Sequence, residues 1–180
     1  MPILLDNKIL QATEQKLESS LLPATRDDYM KIVVAGMKVA LDGGPNGMLS
    51  RLKQSRDPVN DCAAGAINLV LTMSRQAKGH MPTQALIPAA MTLMLQALDL
   101  VDKAGIAKVG TDELVRATHI FTNKIFAAFK ITPQMLNRAA GQVHGIMQDP
   151  TKMEVINRRI GAVKDPRAST PTIPGATNGV

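Results

Sequence analysis

Two consecutive stretches, Cys62 to Gln76 and Pro82 to Lys103, are apolar around most of a helical circumference. The first carries Ala63, Ala64, Gly65, Ala66, Ile67, Leu69, Val70, Leu71 and Met73 almost without a polar break, and the second repeats the character through Leu86, Ile87, Ala90, Leu93, Met94, Ala97, Leu98 and Val101. A helix without a wide polar face must be covered on several sides. These two therefore form the centre of whatever the chain builds, and the remaining segments lie against them. The chain has 180 residues, enough for one compact domain of the usual ~100–150 residues with appendages. Aromatic residues make up only 2% of it, with no Trp, which argues against a β-sandwich, whereas Ala, Leu, Ile and Met suit helices.

Start and stop signals divide the rest. A first amphipathic helix is expected from Asp6 or Asn7 to Leu22, with Ile9, Leu10, Thr13, Leu17 and Leu21 on its apolar stripe and Pro23 ending it. Thr25, with Asp28 three residues on, predicts a capped second helix through Leu41, stopped by the glycines and proline at 43–47. A short piece carries Met48, Leu49 and Leu52. Asp57 ahead of Pro58 starts the first central helix, and the second begins near Pro82 or at Pro88. Thr111, Asp112 and Glu113 open a helix holding all three phenylalanines, Phe121, Phe126 and Phe129. Thr132 and Pro133 begin another through Met147, and Asp149 and Pro150 a short last one through Ile160. Past Val163 helical period ceases, and Pro166, Pro171 and Pro174 favour an extended path. The expected fold class is all-α: a compact bundle of about seven helices over residues 1–163, with an extended Pro-rich C-terminal stretch, 164–180, as a free tail or a docking arm.

Catalytic and metal chemistry are hard to find. His80, His119 and His144 are far apart, with no local ligand spacing. Cys62, the single cysteine, lies on an apolar face where it behaves as a small hydrophobe, and it leaves no partner for a disulfide within the chain. Of the carboxylate pairs, Asp27/Asp28, Asp57/Asp61 and Asp112/Glu113 fall near expected helix starts, where capping explains them. Asp99/Asp102 does not, and is expected to be exposed beside Lys103. The spacing Ser50 to Lys53 lacks the companion motifs of serine acyltransferases, and the glycine cluster lacks the Lys of a phosphate loop. An enzyme would need Asp99, Asp102 and His119 or His144 gathered in one concave site. No catalytic residue, metal or cofactor is expected.

The net charge is +6, and the excess lies wholly in residues 116–180. This basic third either is a solvated face or meets nucleic acid, anionic lipid or an acidic protein. Arg138, Lys152, Arg158 and Arg159 are the candidate phosphate contacts, and without interleaved aromatic residues any DNA binding is electrostatic and indifferent to sequence. The opening residues show neither a basic leader nor a cleavage site, and the longest apolar stretch, Ala85 to Leu95, is broken by Pro88 and Thr92 and falls short of a membrane span, so a soluble cytoplasmic product is expected.

The two multi-sided apolar helices exceed what so small a chain readily covers, so self-association is expected through Ala63, Gly65, Ile67, Leu86, Met91 and Met94. In overall character from Thr25 to Met147 (Ala- and Met-rich helices, few aromatics, the Gly44-Pro45-Asn46-Gly47 turn) and in its irregular tail, the chain resembles the small helical virion proteins of tailed bacteriophages. That resemblance implies a non-enzymatic structural component, internal, at the neck or in an ejection complex near packaged DNA, made in the host cytoplasm and carried in the virion. Its partners would be copies of itself and other virion proteins, with a membrane contacted only by an ejection protein. The competing expectation is a cytoplasmic helical adaptor or regulator that binds a partner protein through Met-bearing faces.

Overall fold

The structure, a computed structural model, describes residues 5–42, 47–78, 80–138 and 154. The chain falls into two compact units, Met1–Lys130 and Ile131–Val180. The fold is all-α, and no strand occurs among the described residues. The first unit holds α1 (Lys8–Ser19), α2 (Pro23–Leu41), α3 (Met48–Lys53), α4 (Pro58–Gln76), α5 (Thr83–Lys103) and α6 (Thr111–Ala128).

α5 is the axle. Every residue from Thr92 to Asp99 is buried, because α1, α2 and α4 all pack on it. α4 in turn seats α6, through Phe121 and Ile125, so the two helices read as multi-sided in the sequence do form the centre. On its other flank α5 meets α2 closely at Gly36, where a Cβ would stand 2.6 Å from Leu93 Cδ1. The missing side chain is what lets these two backbones approach. Pro88 lies inside α5, which begins at Thr83 after Pro82 at the N-cap. The backbone bond that Pro88 cannot make would have ended on Gln84, an exposed residue whose carbonyl water can serve.

The ends follow local chemistry. Asp57 caps α4 as its sequence suggests, its Oδ1 accepting from the Asn60 N–H at 3.1 Å. Asp57 also pairs with Arg116 of α6. At α6 the Glu113 carboxylate accepts from the Gly110 N–H at 2.9 Å, and that bond holds the Glu113 carboxyl below its usual range. Helices α4, α5 and α6 all end by turning through a left-handed residue: Lys78 (φ 50°), Gly105 (φ 64°) and Lys130 (φ 52°). Only one of the three is the glycine this conformation favours.

Two expected boundaries move. α1 ends at Ser19, and α2 starts at Pro23, not Thr25. Pro23 takes the first helical turn, where its missing N–H costs nothing. The expected Thr25/Asp28 cap does not form, and the Thr25 hydroxyl donates back to the Leu22 carbonyl at 2.9 Å instead. In the second unit, residues 133–138 are helical, and Thr132 Oγ1 accepts from the Met135 N–H at 3.3 Å as its cap. The continuation to Met147, the short helix from Asp149, the 163/164 boundary and the Pro-rich tail lie outside the described residues.

Candidate functional site

Apart from Thr25, the buried polar side chains among the described residues are engaged in two knots on α5. At its C-terminal end Asp99, 3% exposed, accepts the Asp6 N–H at 3.0 Å and the Asn7 N–H at 2.9 Å through Oδ1, while its Oδ2 meets Lys103 Nζ at 2.8 Å. The hydrogen bonds that Lys103 donates to Asp99 and Asp6 raise its pKa. Asn7 caps α1, accepting from the Ile9 N–H, and its amide donates to Asp102 Oδ2 and to the Val109 carbonyl, both at 2.9 Å. Asp102 also accepts the Val109 N–H at 3.0 Å. This corrects the expected exposure of Asp99: its charge is placed against the amides that open α1, where a helix end favours an anion. Together the two carboxylates hold the start of α1 and the loop before α6.

One turn earlier on α5, Gln96 Nε2 donates to Glu14 Oε1 at 3.1 Å, and Tyr29 shares a hydrogen bond with Thr92 at 2.8 Å. Burial raises the Glu14 carboxyl above its ordinary range, and Glu18 and Asp99 push the same way against the Gln96 amide. Burial also lifts the Tyr29 phenol to about 12. Gln96 Oε1 is buried with no donor. Glu14 was not legible as an inward residue because it is an acid in an amphipathic helix. Its spacing gives it away, four residues after Leu10 and three before Leu17. The apolar stripe turns accordingly: Leu10 and Glu14 are buried, while Ile9, expected on it, is 41% exposed.

The open apolar surface lies on the other side. A groove of about 390 Å³ runs between α2, α3 and α4, lined by Met37, Met48, Leu52, Cys62, Gly65 and Leu69 among others, with Arg51 and Asp61 as its charged members. Gly65 is exposed on it, and a Cβ there would meet nothing within 4 Å. Beside the groove, α2 presents Met30, Val34, Met37 and Leu41, spaced four, three and four residues apart. Met30 and Met37 half-bury against the core, while Val34 and Leu41 stay 52% and 53% exposed. The sequence signal for this stripe was present but belonged to a helix already given a core face through Tyr29, Ile32, Val33 and Gly36.

Of the residues expected to mediate self-association, Ala63, Ile67, Leu86 and Met94 are buried within the first unit. α5 and its neighbours cover them, so they are not available to a second copy. Met91 is half-buried, and only Gly65 reaches the open groove. Arg138 is exposed in the second unit; Lys152, Arg158, Arg159 and His144 lie outside the described residues. His80 and His119 are exposed. Cys62 is buried, which drives its thiol up to about 12 and away from nucleophilic use. Among the described residues no group of three His, Cys, Asp or Glu side chains is placed to hold a metal ion. α5 is long and apolar enough to cross a membrane, and in the fold it is the core helix, with 72% of its apolar window buried.

Compared with protein-family models, curated proteins and solved structures, the chain matches none.

Proposed function

We propose that the protein is a non-enzymatic structural component that works by assembling with copies of itself. The observation that supports this most is the continuous apolar surface formed by the α2 stripe and the adjoining groove, where two large aliphatic side chains are more than half exposed. A contiguous patch of that kind marks a contact surface rather than a reaction centre. The buried carboxylates Asp99 and Glu14 fit the same reading, since their partners are backbone amides, Lys103 and a glutamine within the fold.

The likeness in character to small helical virion proteins of tailed bacteriophages supports a place in a virion, as an internal, neck or ejection protein near packaged DNA. The basic excess of residues 116–180 suits that setting through non-specific phosphate contact. The measurement that tests the proposal is solution mass by light scattering over a range of protein and salt concentrations. A discrete oligomer is expected. A stable monomer of 19.3 kDa refutes self-assembly and gives first place to the cytoplasmic adaptor, for which the same groove would receive a partner helix.

A further inference from the structure

We propose that Glu14 and Gln96 form a proton-dependent latch: as a neutral acid Glu14 donates its O–H to Gln96 Oε1, closing a two-bond carboxyl–amide pair that holds α1 on α5, and loss of that proton loosens α1. The inference concerns how the bundle closes and does not depend on what the α2 surface meets. Gln96 is 4% exposed and Glu14 9%. Gln96 Nε2 already donates to Glu14 Oε1 at 3.1 Å, and Gln96 Oε1, the other half of the same amide, is buried with no donor. A carboxylate brings only acceptors to this meeting, so it leaves that oxygen orphaned. A carboxylic acid carries one O–H, and a primary amide facing it gives one hydrogen bond and receives another. Leaving a buried acceptor unmet costs more than a hydrogen bond normally contributes, and a proton on Glu14 Oε2 removes that cost.

The surroundings favour the same proton. Among the described residues, the titratable groups around the Glu14 carboxyl are Glu18 on α1 itself, Asp99 on α5 and Tyr29 on α2, and none of them is a cation. Lys103, further along α5, is taken up by Asp99 and Asp6. Burial and the two acids work against ionisation of Glu14. α1 is the element such a proton can control. Of its 12 residues it buries only Leu10 and Glu14, so the latch is half of what it seats in the core. Its start is pinned separately, by the Asp6 and Asn7 amides on Asp99 and by the Asn7 side chain on Asp102. Once ionised, Glu14 is drawn to water, and the later turns of α1 lift while the start stays tied, uncovering the strip of α5 around Gln96. Its pKa is raised only while α1 is docked, so docking is strongest below the undocked pKa and weakens as pH rises through the docked one.

The test follows amide hydrogen exchange in the full chain from pH 4 to pH 7, as protection factors corrected for the intrinsic rate, in wild type and in Glu14→Gln. Glutamine keeps both hydrogen bonds at every pH, since two facing amides each donate once. In wild type, the α1 amides beyond Glu14 should be less protected than those of α4 at every pH, because α1 opens alone. Their protection should fall about fivefold as pH rises, the worth of one net hydrogen bond. In Glu14→Gln it should hold at the level that wild type shows at pH 4. The Glu14 Cδ resonance should titrate above the range of an exposed glutamate. A flat wild-type profile, or a fall that persists undiminished in Glu14→Gln, overturns the latch. So does α1 protection equal to that of α4, or a Cδ midpoint at the value of an ordinary glutamate.

Discussion

The same substitution, Gly to Ala, should change stability in opposite directions at Gly36 and Gly65, and the pair measures how the two faces of the bundle are used. Both glycines are in helix interiors, where alanine is favoured by about 1 kcal/mol. At Gly65 the new methyl meets nothing within 4 Å, so Gly65→Ala should collect the whole gain. In a unit of this size that is a rise in Tm of about 3–5 °C. At Gly36 the methyl would stand 2.6 Å from Leu93 Cδ1 and 3.0 Å from its Cδ2. Overpacking of that kind costs about 1–3 kcal/mol, and Leu93, which borders the groove, has one direction in which to yield. Gly36→Ala therefore ends between neutral and about 2 kcal/mol destabilised. Urea unfolding followed by circular dichroism, repeated at two dilute protein concentrations to separate assembly from folding, gives both values. If Gly65→Ala fails to stabilise, the groove floor is covered in solution. If Gly36→Ala gains as much as Gly65→Ala, the close approach of α2 to α5 does not depend on that glycine.

Glu14 gives a pH signature. Its pKa is raised in the folded chain, so the stability it contributes is present in full below its unfolded pKa and declines as pH rises through the folded one. The difference in unfolding free energy between Glu14→Gln and wild type should thus grow in favour of the variant from pH 4 to pH 7; a difference independent of pH would show that the carboxyl is solvated. Tyr29→Phe strands the Thr92 hydroxyl in the core and should cost about 1–3 kcal/mol in urea unfolding, and a change below about 0.5 kcal/mol would mean that Thr92 finds another acceptor. Asp99→Ala removes the acceptor for the Asp6 and Asn7 amides, and hydrogen exchange should then quicken in α1 well before it does in α4. Lys130→Gly relieves a left-handed residue and should stabilise by about 0.5–1 kcal/mol, as read from the Tm.

The fold was legible where chemistry is local. Pro82 and Thr111 mark helix starts by their place at the first turn and Thr132 by its cap, and the apolar breadth of α4 and α5 puts them at the centre. Asp57 announced its helix because an acid before a proline has few other uses. What escaped was anything decided by which of several faces meets which neighbour. Asp99 looks exposed in the sequence because nothing within α5 tells that the Asp6 and Asn7 amides, more than ninety residues away, come to it. Ala63, Ile67, Leu86 and Met94 look like interface in the sequence because a helix apolar on several sides looks under-covered until its neighbours are counted. The surface that does stay open, on α2, combines an ordinary amphipathic pattern with a second stripe only a third of a turn further round.

The bonds that tie Asp6, Asn7, Asp102 and Val109 together also impose an order on events during synthesis. α1 is made before α5, yet the amides that open it, its cap and Glu14 all find their partners on α5 or beyond it, 82 to 102 residues later. Closing a loop of that length is slow compared with forming the adjacent pairs α4–α5 and α4–α6. Until α5 is made, Leu10 has no seat, and α1 travels as a bare amphipathic segment of 12 residues, too short to hold its own shape in water. Until α5 has been made, α1 is thus an uncovered apolar segment open to a chaperone, and completion of the axle of the bundle withdraws it.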